Sequence, residues 1–177
     1  MYFSTNTYLF KTFRYMESDV IKVDWLDLLE GGFGAATVLV SFGVVIGKTT
    51  PMQLLGICLL EIPLYLVNGY INYNLLGCVD SGGAIMIHTF GAYFGIMVSL
   101  VDRKRNYNHP SVDRSNSDHT SDIFSVLGTL MLLIYWPSFN GVAAPPGEGK
   151  HRATFNTYLS ICASTMTTFI FSAFLGE

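Results

Sequence analysis

The sequence predicts an all-α fold, a polytopic transmembrane helix bundle of about five spanning helices. Three observations lead there. Half of the 177 residues are hydrophobic and only 13% are charged, a balance far from that of an ordinary soluble domain. Mean hydropathy is positive. The apolar residues are also gathered into runs near the length of roughly 20 residues that a helix needs to cross bilayer hydrocarbon.

The first run spans about Gly31 to Gly47, "GGFGAATVLVSFGVVIG". The second spans about Met52 to Tyr73, with Pro63 expected to interrupt it because proline lacks a backbone donor. The third runs from about Gly82 to Val101, the fourth from about Asp122 to Pro137 and the fifth from about Phe155 to Leu175. The links are short, except for the polar stretch "DRKRNYNHPSVDRSNSDHTS" between the third and fourth. An alternating topology puts Lys48, Arg103, Lys104, Arg105 and Arg114 on one side, and Lys150 and Arg152 on the other with the amino-terminal tail. The positive-inside rule assigns the "DRKR" side to the cytoplasm. Asp80 then lies at the outer end of the third helix, and "WPSF", read as a turn, at the outer end of the fourth. Residues 1–28 hold no complete span and read as a divergent exterior segment. The opening "MYFSTNTYLFKTFRYM" lacks the uninterrupted apolar core of a secretory signal.

Several function classes fall away. A net charge of −3 gives no basic footprint for nucleic acid, and no Walker or dinucleotide glycine loop occurs. Cys58, Cys78 and Cys162 are scattered over separate apolar segments and suggest neither a disulfide framework nor a zinc site. No metal and no cofactor are expected, and no catalytic constellation points to an enzyme.

What remains is His88, in the middle of "DSGGAIMIHTFGAYFG". At helical spacing its own face carries Ala84, Gly91, Ala92 and Gly95. Gly91 and Gly95 form a GxxxG pair, as do Gly43 and Gly47 in the first run, and such spacing lets helix backbones pack closely. Two readings of His88 stand. It is a core histidine satisfied by a neighbouring helix, or it marks a pathway, as ionisable residues in spanning segments tend to. A neutral imidazole has one donor and one acceptor and so can hand along a small polar solute. Asp80 lies about 12 Å up the helix axis. It reads as a cap of the third helix, a role compatible with an outer cation site. That separation is well beyond the reach of an acid–base pair. Glu61, just before Pro63, is expected at an interface or among water, and His151 on a polar surface loop.

These residues carry a resemblance to the Rh glycoprotein branch of the ammonium transporter family. "DSGGAIMIHTFGAYFG" is similar to that family's fifth core helix, "TSDIFSVLGTLMLLIYWPSFNG" to the sixth and "HRATFNTYLS" to the entry of the seventh. "SFGVVIGKTTPMQLL" is similar to the turn joining the third and fourth. The resemblance covers about residues 25 to 177. It implies that residues 29–177 form part of an ammonium transporter domain, the third to seventh core helices. The complete family proteins are trimers in which each protomer holds its own narrow apolar pore. Ammonium is gathered outside, loses its proton near two stacked phenylalanines and passes as ammonia along two histidines. Residue by residue, the resemblance makes Phe33 and Phe139 the phenylalanine gate, Asp80 the structural acid and His88 the first pore histidine.

By the same resemblance the partners are ammonium or ammonia, with carbon dioxide as a second proposed cargo, and the lipid bilayer of the plasma membrane. The complete protein would be a homotrimer. The helix bearing the second pore histidine has no counterpart in residues 1–177. The expectation is therefore a partial chain of an Rh-type channel. The alternative is a truncated, non-conducting membrane protein that associates with full-length Rh subunits.

Overall fold

The computed structural model describes residues 25–105, 118–144 and 146–175, and among these residues it holds five α-helices, two π-helical turns and no strand. The helices are α1 (Trp25–Val45), α2 (Pro51–Tyr70), α3 (Phe90–Arg105), α4 (His119–Ala143) and α5 (Glu148–Leu175). One π turn, Ile71–Leu75, extends α2, and another, Ala84–Thr89, leads into α3. Four segments are long and apolar enough to cross a membrane: Pro51–Leu75, Ala84–Asp102, His119–Ala143 and Glu148–Phe174. The apolar part of α1, Glu30–Val45, is shorter. It measures about 24 Å against about 30 Å of hydrocarbon. The expected bundle of about five spans thus consists of four full-length helices and one shorter apolar helix.

The elements differ from the sequence expectation mainly at their ends. Pro63 does not interrupt α2, and its ring is exposed on the helix surface. A proline removes one backbone bond, and a helix in an apolar medium keeps its remaining bonds because no water competes for them. For the same reason "WPSF" is not a turn: α4 continues through the buried Pro137 to Ala143, and Ser138 Oγ donates to the Tyr135 carbonyl at 2.7 Å. His151 stands in the first turns of α5 instead of a loop, and it is exposed. α1 begins at Trp25, so helix runs across residues 28 and 29.

Local chemistry sets the helix starts. Thr50 and Gln53 form a capping box ahead of Pro51: Gln53 N donates to Thr50 Oγ1 at 3.3 Å and Thr50 N to Gln53 Oε1 at 2.8 Å. Asp118 does the same for α4. Ser121 N donates to Asp118 Oδ1 at 2.7 Å, and Asp118 N to Ser121 Oγ at 2.9 Å.

The helices fall into two packing units, α1 to α3 and α4 with α5. In the first, the span Ala84–Asp102, made of the second π turn and most of α3, is 22% buried against 6% for each of the other three full-length spans. Its buried stripe is Ile87, Gly91 and Gly95, set against Thr37, Ser41 and Val45 of α1. A Cβ on Gly91 would come within 2.9 Å of the Thr37 carbonyl, and one on Gly95 within 2.9 Å of the Ser41 carbonyl. The α3 glycine pair therefore seats one helix backbone on another. The α1 pair behaves otherwise. Apart from its chain neighbours and its own helix backbone, no described atom lies within 4 Å of a Cβ on Gly43. Gly47 lies beyond α1 with φ 82°, where it turns the chain towards α2.

In the second unit, α4 and α5 form a helical hairpin whose connection includes Gly147 at φ 92°. Asn140 Nδ2 donates to Thr157 Oγ1 at 3.0 Å across the pair, and Gly141 is buried against Thr154. Large apolar side chains such as Leu59, Phe124 and Phe171 cover the outer faces of the spans. Lipid contact calls for such a surface.

Gly91→Ala should lower stability by about 1–3 kcal/mol by overpacking. Gly43→Ala should raise it by up to about 1 kcal/mol through helix propensity. Thermal unfolding of the detergent-solubilised variants measures both. At α4, the hydrogen bond from Ser121 N holds the Asp118 carboxyl below the usual carboxylate range. The cap should therefore be fully effective above about pH 5 and fade as pH falls through that lowered value. Protection factors at residues 119–122, which divide out the intrinsic pH dependence of amide exchange, should fall on acidification in the wild type and stay level in Asp118→Asn, which caps without titrating.

Candidate functional site

The entry to α3 is built by four residues, Asp80 to Gly83. Gly82 and Gly83 adopt φ of 89° and 76°, a left-handed double step that folds the chain back before the first turn. This brings Asp80 over the helix end. Its Oδ2 accepts from Ile85 N at 3.0 Å and Met86 N at 2.9 Å. The Gly83 carbonyl is shared by Ile87 N at 2.8 Å and His88 N at 3.1 Å. The first-turn amides from Ile85 to His88 are all satisfied, and the shared carbonyl widens the turn to π geometry. Thr89 Oγ1 adds a bond to the Ala84 carbonyl at 2.8 Å.

Asp80 thus caps the helix, as the sequence suggested, but from a position before the glycine turn; Gly83 occupies the cap position. The widened turn also shifts the face that His88 shares. Within it, the residue beneath His88 is Gly83, not Ala84, and Ala84 is exposed. Beyond it, Gly91 and Gly95 are buried against α1 while Ala92 is only half-buried. His88, itself half-buried, stands at the edge of the packed stripe. Part of the ring is exposed, but its Nε2 is enclosed.

The aromatic residues divide between the units. Phe33 is half-buried on α1, where its carbonyl accepts from Thr37 Oγ1 at 2.9 Å. Phe139, on α4, stacks on Trp136 with ring centroids 4.4 Å apart and planes 18° apart, the one-turn neighbour relation of a helix. Each is described within its own unit. Phe90 packs edge-on against Tyr65 of α2 at 6.3 Å and ties α3 to α2.

The spacing rules did not single out Ser41. It is fully buried together with Glu61, and their side chains are hydrogen-bonded, Ser41 Oγ to Glu61 Oε1. Ser41 Oγ also lies 2.8 Å from the Gly91 carbonyl. The signal was present as Thr37 and Ser41, two hydroxyls one turn apart in an otherwise apolar helix. Glu61 is at a helix interface, as expected. An open apolar groove of about 790 Å³ between α1 and α2 is lined by residues such as Val38, Phe42, Leu55 and Ile62. Neither Asp80 nor His88 reaches it. Among the described residues, no group of three or more His, Cys, Asp or Glu side chains could hold a metal ion.

The sequence pattern of the Ammonium Transporter Family matches residues 7–176. Ammonium transporter Rh type B of Sus scrofa is 46% identical over 150 residues, covering 85% of this chain and 32% of that protein. The Homo sapiens protein of the same name is 47% identical over 150 residues, with the same coverage. That of Danio rerio is 42% identical over 164 residues, 93% of this chain and 36% of the relative. The chain spans about a third of the length of these curated relatives. With four apolar spans, a family pattern running over nearly all of its length and relatives above 40% identity, this integral membrane protein belongs to the ammonium transporter family.

Proposed function

We propose that the chain supplies part of an ammonium/ammonia conduit, with His88 as a pore imidazole. The observation that carries this reading is the entry to α3. Asp80 and Gly83 satisfy every first-turn amide from Ile85 to His88, so the His88 ring is not needed to close the helix end. It stands half-buried beside the packed stripe of Ile87, Gly91 and Gly95, with Nε2 enclosed away from bulk solvent as a pore-lining nitrogen would be. The relatives are named as ammonium transporters, and the residues flanking His88 are those that carried the resemblance in the sequence.

The chemistry fits the proposed cargo. Moving an ammonium ion into a dry apolar passage costs several kcal/mol even after relaxation, whereas neutral ammonia pays no such ionic penalty. A neutral imidazole restores part of the lost hydrogen bonding without a fixed charge that would hold an ion in place. In this proposal Phe33 and Phe139 gate the outer mouth, and Asp80 orients the backbone there for an arriving cation. Residues 29–177 act within a trimeric assembly in the plasma membrane. Carbon dioxide, small and neutral, is a second cargo of the same passage.

The test exchanges the 150 aligned residues of an Rh type B transporter for those of this chain and follows methylammonium and ammonia entry into vesicles. His88→Ala should lower flux by about tenfold, roughly 1.4 kcal/mol of barrier. Undiminished flux in that variant would refute the assignment. Asp80→Asn keeps an acceptor for the Ile85 and Met86 amides but not the carboxylate. It should preserve amide protection at the start of α3 while raising the ammonium concentration for half-maximal flux several-fold. Asp80→Ala should lose both.

A further inference from the structure

Glu61 is the one acidic side chain in the interior of α2, and it is fully enclosed. Apart from it, the ionisable residues on the helices and π turns between Gly31 and Val101 are Cys58, Tyr65, Tyr70, Tyr73, His88 and Tyr93; none of these stretches carries a lysine or arginine. Lys48 lies in the turn before α2. That is about three helical turns from Glu61. Among the described residues of this unit, a carboxylate at this depth would have no lysine or arginine on its own or the neighbouring helix stretches to face, and a buried unpaired charge costs several kcal/mol.

Hydrogen counting points the same way. Ser41 Oγ lies within hydrogen-bond reach of two acceptors, the Glu61 carboxyl and the Gly91 carbonyl. A hydroxyl has a single hydrogen and can also accept. If it serves the Gly91 carbonyl, which has no hydrogen of its own, the other bond needs a hydrogen from Glu61. The remaining carboxyl oxygen, Oε2, has no partner among the described residues. A bare carbonyl oxygen of a neutral acid is far less costly there than a bare anionic oxygen.

We propose that Glu61 is held as a neutral carboxylic acid whose hydroxyl donates to Ser41, which in turn donates to the Gly91 carbonyl. This directed chain joins α2, α1 and α3. It grips α3 three residues past His88, at the level where the glycines let α1 touch it. Glu61 and Ser41 are thereby positioning residues for the helix that presents His88. Only this last clause rests on the pore reading given above.

The test uses this chain reconstituted in lipid at neutral pH, with infrared spectroscopy and amide exchange. The wild type should show the C=O stretch of a protonated carboxylic acid, and Glu61→Gln should abolish that band. Ser41→Ala removes the acceptor and should shift the band to higher wavenumber. A glutamine amide donates to Ser41 as the acid does, so Glu61→Gln should leave exchange across His88–Gly95 unchanged. Ser41→Ala should speed it by about tenfold, the equivalent of one hydrogen bond to a buried carbonyl. A neutral-pH spectrum without the band, a band insensitive to Ser41→Ala, or exchange in Glu61→Gln as fast as in Ser41→Ala would each overturn the proposal. None of these readouts needs transport. A His88→Ala variant with normal flux would remove the pore reading and leave the neutral acid standing.

Discussion

Helices α1 and α3 touch backbone to backbone at Gly91 and Gly95, and the first packing unit is arranged around that contact. Hydrophobic burial offers little to hold helices together in lipid, because the surrounding chains are as apolar as the side chains. Close van der Waals contact and interhelical hydrogen bonds have to do it. The glycines supply the first and Ser41 the second, since a hydroxyl on α1 reaches the Gly91 carbonyl only where no side chain keeps the backbones apart. The second unit repeats the device with other residues. Gly141 brings α4 up to Thr154 of α5, and Asn140 bonds Thr157 across the gap.

That economy explains what the sequence revealed and what it concealed. The spans were legible because apolar length is a property of composition, and the GxxxG spacing of Gly91 and Gly95 announced the contact. The same spacing at Gly43 and Gly47 announced nothing of the kind. A glycine pair shows only that an approach is possible, and Gly47 serves a turn. The prolines misled for a related reason. Pro63 and Pro137 break helices in water, where freed carbonyls find other donors, but inside a span the rest of the ladder has no competitor.

The site was legible in identity and less so in geometry. Asp80 and His88 stood out as an acid and an imidazole flanking an apolar run. Their relation depends on Gly82 and Gly83, whose left-handed step lets Asp80 cap from outside, and on a π turn that straight 3.6-residue arithmetic does not anticipate. Counting at α-helical spacing placed His88 above Ala84, whereas the widened turn sets it above Gly83. Ser41 was overlooked for a different reason. A serine in an apolar helix is common, and its partners Glu61 and Gly91 lie on two other helices.

Asp80 and Glu61, two of the acids in the first unit, are accommodated in opposite ways. Asp80 is placed where the backbone of a helix end presents amide donors, and its Oδ2 accepts from Ile85 and Met86. Glu61 is placed where no donor but a single hydroxyl is available. Between these two positions the helices carry no lysine or arginine. In the conduit proposed above, an arriving cation would meet the oriented amide dipoles at the Asp80 end, whereas an uncharged amine would meet in His88 a ring with one donor and one acceptor.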